Sequence, residues 1–243
     1  MSAPAPARGT AVTEATATPR LGLVTIGQAP RVDLVPDVAD ALSGVTWVEH
    51  GALDPLSSRQ IAYLAPGGAE RALVSRLRNG GSARLGATSI APHLDRAIAD
   101  CVADGCGVVL VLCTGRVEHG SAPVPVLHAE DLAHEAVMTL IGDRELGVVC
   151  PVPEQLTDVR QRWSERLERP LAVTDADPYT DGPDEIAAAG RALTAQGASL
   201  IFLDCIGYTE EHARLVASAG APTYTARGLA VRTAVAALLP RRS

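Results

Sequence analysis

GCGVVLVLCTG at Gly105–Gly115 and GASLIFLDCIG at Gly197–Gly207 are one phrase written twice. At a constant offset of 92 residues, the apolar run Val108–Val111 falls on Leu200–Leu203, Cys113 on Cys205 and Gly115 on Gly207. The match extends upstream, where Leu94, Ala97, Ile98 and Cys101 recur at helical spacing, as do Ile186, Ala189 and Leu193. Each copy therefore reads as an amphipathic helix, a glycine break, a buried strand, and a cysteine where the strand stops. In open α/β sheets ligands bind beyond the carboxyl ends of the strands. Two such units facing each other aim two thiols at one pocket.

The rest of the chain alternates in the same way. Leu21–Thr25 (LGLVT) reads as a buried strand and Leu146–Cys150 (LGVVC) repeats it, so two half-chains each open with LG[LV]V and each close on a cysteine strand. A helix is expected at Val32–Leu42, a strand at Thr46–His50, a short helix at Ser57–Leu64 and a glycine-turn hairpin between Ala72 and Ile90. A strand near Val124–Leu127 and helices at Asp131–Ile141 and Glu154–Leu167 follow. Strands at Leu171–Thr174 and Pro222–Thr225 and a closing helix at Gly228–Leu239 complete the pattern. The expected fold is α/β, two pseudo-symmetric lobes with mainly parallel sheets and a cleft between them. The expected division is a disordered tail over 1–20, lobes over 21–132 and 133–227, and a C-terminal segment, 228–243, packing back on the first lobe. The hairpin lengthens the first half, where a lid or subunit contact would sit.

Composition narrows the class. The chain has 243 residues, a formal net charge of −7 and only 3% aromatics, so its core must be aliphatic. An acidic balance without a basic stripe argues against a nucleic-acid partner. No apolar stretch approaches the roughly 20 residues that span a bilayer, so no membrane association is expected. The opening MSAPAPARGTAVTEATATPR has no apolar h-region, and five cysteines read as reduced cytoplasmic thiols rather than a disulfide framework. All 21 basic residues are arginine. Without lysine there is no pyridoxal Schiff base and no Walker A site, and no GxGxxG follows the first strand, so no cofactor is expected. The six histidines and five cysteines form no HxxxH, HExxH or C-x₂-C arrangement, so no metal is expected either.

A lone buried cysteine is usually a small hydrophobe, and Cys101, Cys106 and Cys150 read that way. Cys113 and Cys205 differ, because duplication explains similar strands but does not require a thiol at both ends. Moving a proton at the carbon α to a carboxylate needs a base on one face and an acid on the other, and a thiolate/thiol pair supplies both. Backbone amides near Gly115 and Gly207 would lower the thiol pKa and hold an enolate oxygen. Thr114 and Thr209 are candidate hydroxyl donors. Thr25, Gln28 and Arg31, on the loop leaving the first strand, are candidate substrate contacts, since an arginine there can clamp a carboxylate with two hydrogen bonds. The acidic loop from Asp175 to Glu185 reads as a solvated helix cap.

The segments LGLVTIGQAPRVDLVPDV, HGALD at His50–Asp54, LIFLDCIGYTEEH and RGLAVRTAVAALL together resemble the AroM family, from about Leu21 to Leu239. That family is similar to the aspartate/glutamate racemase superfamily, which includes amino-acid and hydantoin racemases, maleate isomerase and arylmalonate decarboxylase. The resemblance implies a cofactor-independent, two-lobed enzyme with one cysteine per lobe, falling here on Cys113 and Cys205. Thr114 fits the residue that follows the first cysteine. The second motif is usually Gly-Cys-Thr, whereas this chain has Asp204-Cys205-Ile206 and its threonine only at Thr209. The expected activity is racemisation or isomerisation of a small carboxylic acid, amino acid or cyclic amide. The alternatives are a one-cysteine decarboxylase or carbon–carbon lyase, or a non-catalytic small-acid-binding protein. The expected partner is a small carboxylate, with room for a homo-oligomer.

Overall fold

The two LG[LV]V segments become interior strands of two four-stranded parallel sheets. A computed structural model describes residues 20–68 and 70–239. In chain order these form β1 (Arg20–Thr25), β2 (Thr46–Gly51), α1 (Ser58–Ala62), β3 (Ala72–Arg76), β4 (Ser82–Gly86), α2 (Ala87–Ala103), β5 (Val108–Leu112), β6 (Val126–His128) and α3 (Ala129–Ile141). The second half holds β7 (Leu146–Cys150), α4 (Leu156–Leu167), β8 (Ala172–Asp175), α5 (Pro183–Ala195), β9 (Leu200–Leu203), α6 (Glu210–Ala217), β10 (Thr223–Thr225) and α7 (Ala226–Leu238). The sheet orders, β2-β1-β5-β6 and β8-β7-β9-β10, are the same order twice. Every pairing within them is parallel. The expected two-sheet α/β fold is therefore present.

The glycine of each LG[LV]V opening has a packing reason. A Cβ on Gly22 would lie 2.7 Å from Cys101 Sγ on α2, and one on Gly147 would lie 2.8 Å from Ala198 Cβ and 3.1 Å from Leu193 Cδ1. A bare strand backbone lets α2 and the α5 segment lie close on their sheets. This closeness explains why Cys101 is a buried wall residue and fully inaccessible.

The outer helices cross between halves. α3 follows β6 of the first sheet, yet Ala133, Val137 and Ile141 pack with Val148 of β7 and Phe202 of β9 in the second. α7 follows β10 of the second sheet, yet Ala230, Val231 and Ala234 pack with Leu21 and Leu23 of β1 and Leu110 of β5 in the first. Each sheet is thus closed by a helix whose own preceding strand belongs to the other.

Some boundaries differ from expectation. Val32–Leu42 is not an α-helix but a run of turns around a short 3₁₀ segment, Val35–Val38. Pro36 has no N–H to give, and the Asp33 carbonyl that a helix would use accepts instead from Arg227 Nη1 at 2.8 Å. The hairpin expected after Ala72 is β3–β4, antiparallel, closing through Leu77 N–H to the Gly81 carbonyl at 2.8 Å. The tail expected over residues 1–20 lies outside the described residues except for Arg20, which opens β1, and residues 240–243 of the C-terminal segment also lie outside them. No helix among the described residues is long and apolar enough to cross a membrane.

Candidate active site

Parallel pairing sets the height of the site. Thr25 of β1 lies level with Leu112 of β5, so the chain leaves both strands at one edge, and Cys113 is the first residue beyond. Cys205 follows β9 by one residue, Asp204, at the matching edge of the second sheet. Both thiols line one cavity of about 210 Å³ together with Thr114, Gly115 and Asp204. The hairpin contributes Leu73, Val74 and Arg84 to its wall, with Arg71 from the approach to the hairpin and Arg162 from α4.

Each sulfur sits in the same small turn. Cys113 Sγ accepts from Gly115 N–H at 3.3 Å, and Cys205 Sγ accepts from Gly207 N–H at 3.4 Å. The glycines are needed for close approach. A Cβ on Gly115 would overlap Leu73 Cδ2, and one on Gly207 would lie 2.6 Å from the Tyr179 ring. Burial pushes the Cys113 thiol up to about 12, against the pull of the Gly115 amide and Arg71. Burial pushes Cys205 up to about 11, opposed by the Gly207 amide, Arg227 and Arg31. Both are neutral thiols at neutral pH, and ionising either requires the amides and guanidinium groups around it.

The other expected contacts separate into two sets. Thr114 lines the cavity, its hydroxyl 3.4 Å from the Asp204 carbonyl, and Gly115 lines it as well. Gly207 sits behind Cys205 as its amide donor. Thr209 is not at the cavity. It caps α6, accepting from His212 N–H at 3.1 Å while its own N–H donates to His212 Nδ1. Gln28 accepts from Arg78 N–H at 3.0 Å and ties the hairpin down. Arg31 is buried but outside the cavity wall, with Nε and Nη2 on the two Asp33 oxygens at 2.8 and 2.7 Å and Nη1 on Thr25 Oγ1 at 3.3 Å. The bidentate clamp expected for a substrate carboxylate is occupied by Asp33, two residues away. On the acidic loop Asp184 and Glu185 are exposed as expected, Asp175, Asp177 and Asp181 are half-buried, and burial pushes up the phenol of Tyr179, whose surroundings include Cys205.

Three features were not anticipated. Arg227 is fully buried and donates to the carbonyls of Ile206 and Gly207, each at 2.9 Å, just past Cys205. Asp204, also buried, accepts from Trp163 Nε1 at 3.1 Å and Arg162 Nη2 at 3.2 Å and pairs with His134 Nε2 at 3.3 Å. Burial would raise the Asp204 pKa, but the charge and hydrogen bond of His134, with Arg162 and Trp163, hold it below the usual carboxylate range. Two cations at the cavity are only loosely paired among the described residues, Arg71 with Glu130 Oε1 at 3.8 Å and the more exposed Arg84 with Glu154 Oε1 at 3.9 Å, and Arg71 is the one whose charge acts on Cys113. Arg162 Nε is buried and unpartnered among the described residues. Arg71, His134, Arg162 and Trp163 are all remote from Asp204 in sequence, so spacing carries no signal for them.

Two parallel sheets of identical order, each delivering a cysteine to a shared cavity, define an α/β fold of the kind seen in aspartate/glutamate racemases. The chain belongs to the AroM family, whose model, described as AroM protein, matches residues 21–238. No curated protein matches it. Among solved structures, allantoin racemase from Klebsiella pneumoniae is similar at 14% identity and a TM-score of 0.60, over 90% of this chain and 87% of that one. Maleate isomerase Iso from Pseudomonas putida S16 is similar at 11% identity and a TM-score of 0.57, over 92% and 94%. A mutant arylmalonate decarboxylase in a sulfate-associated form is similar at 13% identity and a TM-score of 0.53, over 90% and 93%. At these identities the likeness is one of fold.

Proposed function

We propose that this protein is a cofactor-independent racemase or isomerase acting at the α-carbon of a small carboxylic acid, amino acid or cyclic amide, with Cys113 and Cys205 as its acid/base pair. The observation that carries this reading is the shared cavity: two thiols, each facing one space and each held by the amide two residues on. One sulfur, as thiolate, takes the α-proton. The electron pair of the broken C–H bond passes into an enolate, and the second sulfur returns a proton to the opposite face. Arg71, not Arg31, is the substrate anchor in this reading, with Thr114 as a hydroxyl donor. The racemase, isomerase and decarboxylase neighbours share the fold and leave room for a decarboxylase or lyase using one cysteine.

The test is a panel of such acids and cyclic amides in deuterated water, followed by proton NMR and chiral chromatography. Cys113→Ala and Cys205→Ala should each cut racemisation by more than the roughly 10²–10⁴-fold of one general base, since no second group returns the proton. Each should still allow α-proton exchange on one face. Near-normal turnover in either variant overturns the two-thiol mechanism, and a requirement for Cys205 alone favours the one-cysteine alternative.

A further inference from the structure

The amides that donate to the two sulfurs are not equivalent. Gly207 N–H, on Cys205 Sγ, belongs to the peptide unit whose carbonyl is that of Ile206, and this carbonyl accepts from Arg227 Nε at 2.9 Å. A cation on the carbonyl draws electron density from the amide and strengthens the donor on its other side. Arg227 is held in place by Gly207 O, Asp33 O at 2.8 Å and Asp37 Oδ2 at 3.2 Å. In the first lobe, Gly115 N–H donates to Cys113 Sγ, but no described arginine donates to the carbonyl of that unit, Thr114 O.

Symmetry sharpens the contrast. Arg227 is the second residue of α7, the helix that follows β10. The second residue of α3, the helix that follows β6, is Glu130. Glu130 is buried, accepts from Arg162 Nη1 at 3.2 Å, and its charge acts on Cys113. The same position in the two halves thus carries a cation beside one thiol and a carboxyl beside the other. Cys205 is faced by Asp204 of its own segment, Arg227 of α7, Arg31 after β1, Tyr179 after β8, Tyr208 and Cys113. Cys113 is faced by Glu130 of α3, Arg71 before β3, and Cys205.

We propose that Arg227 and Glu130 are a matched pair of positioning residues that polarise the thiols, making Cys205 the proton acceptor and Cys113 the proton donor. The proposal rests on the two-thiol reading. In the step, the α-proton moves to Cys205 thiolate as the C–H bond breaks, and Cys113 S–H breaks as the new C–H bond forms on the other face. The enzyme is left with thiol at Cys205 and thiolate at Cys113, the less favoured arrangement, and resets by exchanging the proton through solvent.

Polarity is measurable without substrate. Iodoacetamide labelling at pH 8.5, read at each cysteine by peptide mass spectrometry, gives both rates in one molecule. Thiols ordered as about 11 and about 12 differ about tenfold in thiolate fraction, in favour of Cys205. Arg227→Gln should slow Cys205 labelling by about tenfold and leave Cys113 unchanged, and Arg227→Lys should restore most of the rate. Glu130→Gln, nearly isosteric, should speed Cys113 and leave Cys205 unchanged, and it decides the matter if Arg227→Gln does not fold. Equal changes at both sulfurs in Arg227→Gln, or no change at Cys113 in Glu130→Gln, overturn the proposal. Polarity measured as expected in a protein that racemises none of the acids supports the pair and removes only the catalytic reading.

Discussion

Asp204→Asn keeps the size of a fully buried side chain and changes only what its two terminal atoms do. In the native protein Oδ2 accepts from Trp163 Nε1 and Arg162 Nη2, and Oδ1 faces His134 Nε2. An amide has one oxygen, and its best orientation points that oxygen at Trp163 and Arg162 and its NH₂ at His134. Arg162 then loses one of its acids and keeps Glu130 at 3.2 Å and Asp158 at 3.7 Å. Breaking a buried ion pair costs about 3–5 kcal/mol, and a surviving amide hydrogen bond returns about 1 kcal/mol, so a loss of about 2–4 kcal/mol is expected. For a chain of this size that is a fall in Tm of roughly 4–16 °C. The assay is denaturation followed by circular dichroism, at pH 7 and then downward. Because the Asp204 pKa is depressed in the folded state, its contribution is complete above the ordinary aspartate value of about 3.9 and is lost as pH falls through the folded value. The amide variant has no such contribution to lose, so the gap between the two proteins should narrow below about pH 4. A gap under about 1 kcal/mol at pH 7, or one that widens in acid, refutes the reasoning.

Gly22→Ala and Gly147→Ala should each destabilise by about 1–3 kcal/mol through overpacking, read as a lower urea midpoint, because α2 and the α5 segment must lift from their sheets. Arg71→Gln should raise KM with little change in kcat once a carboxylate substrate is found, whereas Arg31→Gln should act on Tm by freeing Asp33. Thiols raised by folding bind their protons more tightly than in the unfolded chain, so stability should fall as pH climbs from about 9 toward 11 and 12. Over the range from pH 7 to 9, kcat/KM should rise about tenfold per unit as thiolate appears, and a flat profile counts against a cysteine base.

The duplicated strands, both cysteines and both LG[LV]V openings are legible because they rest on periodicity within short segments. The Val32–Leu42 helix is not, since Pro36 and the remote Arg227 together withdraw the hydrogen bonds it needs. Arg31 has the right residue type and the right loop, but Asp33 reaches it first. Thr209 is taken by helix capping, a use its Thr-x-x-His spacing permits. The Asp204 knot joins α3, α4 and the end of β9, and only tertiary packing brings those together. One signal was readable: His-Ala-Glu at His128–Glu130 and Thr-Ala-Arg at Thr225–Arg227 each run from the last residue of a half's final strand into the next helix, and they differ in charge where they match in place.

The crossing of α3 and α7 sets a limit on how such a molecule can be taken apart. A half-chain cut after α3 would expose the first sheet that α7 covers, and the other half would expose the second. Two identical halves, by trading those helices, could rebuild the architecture and the paired sulfurs as a homodimer. They could not rebuild the charge difference, because a true twofold axis forces the same residue onto both helices. Only halves of different sequence can hold glutamate at one of these positions and arginine at the other, and a single covalent chain ensures that unlike halves always meet. Continuity of the backbone therefore does more here than join two lobes: it permits a symmetric scaffold to carry an asymmetric chemistry.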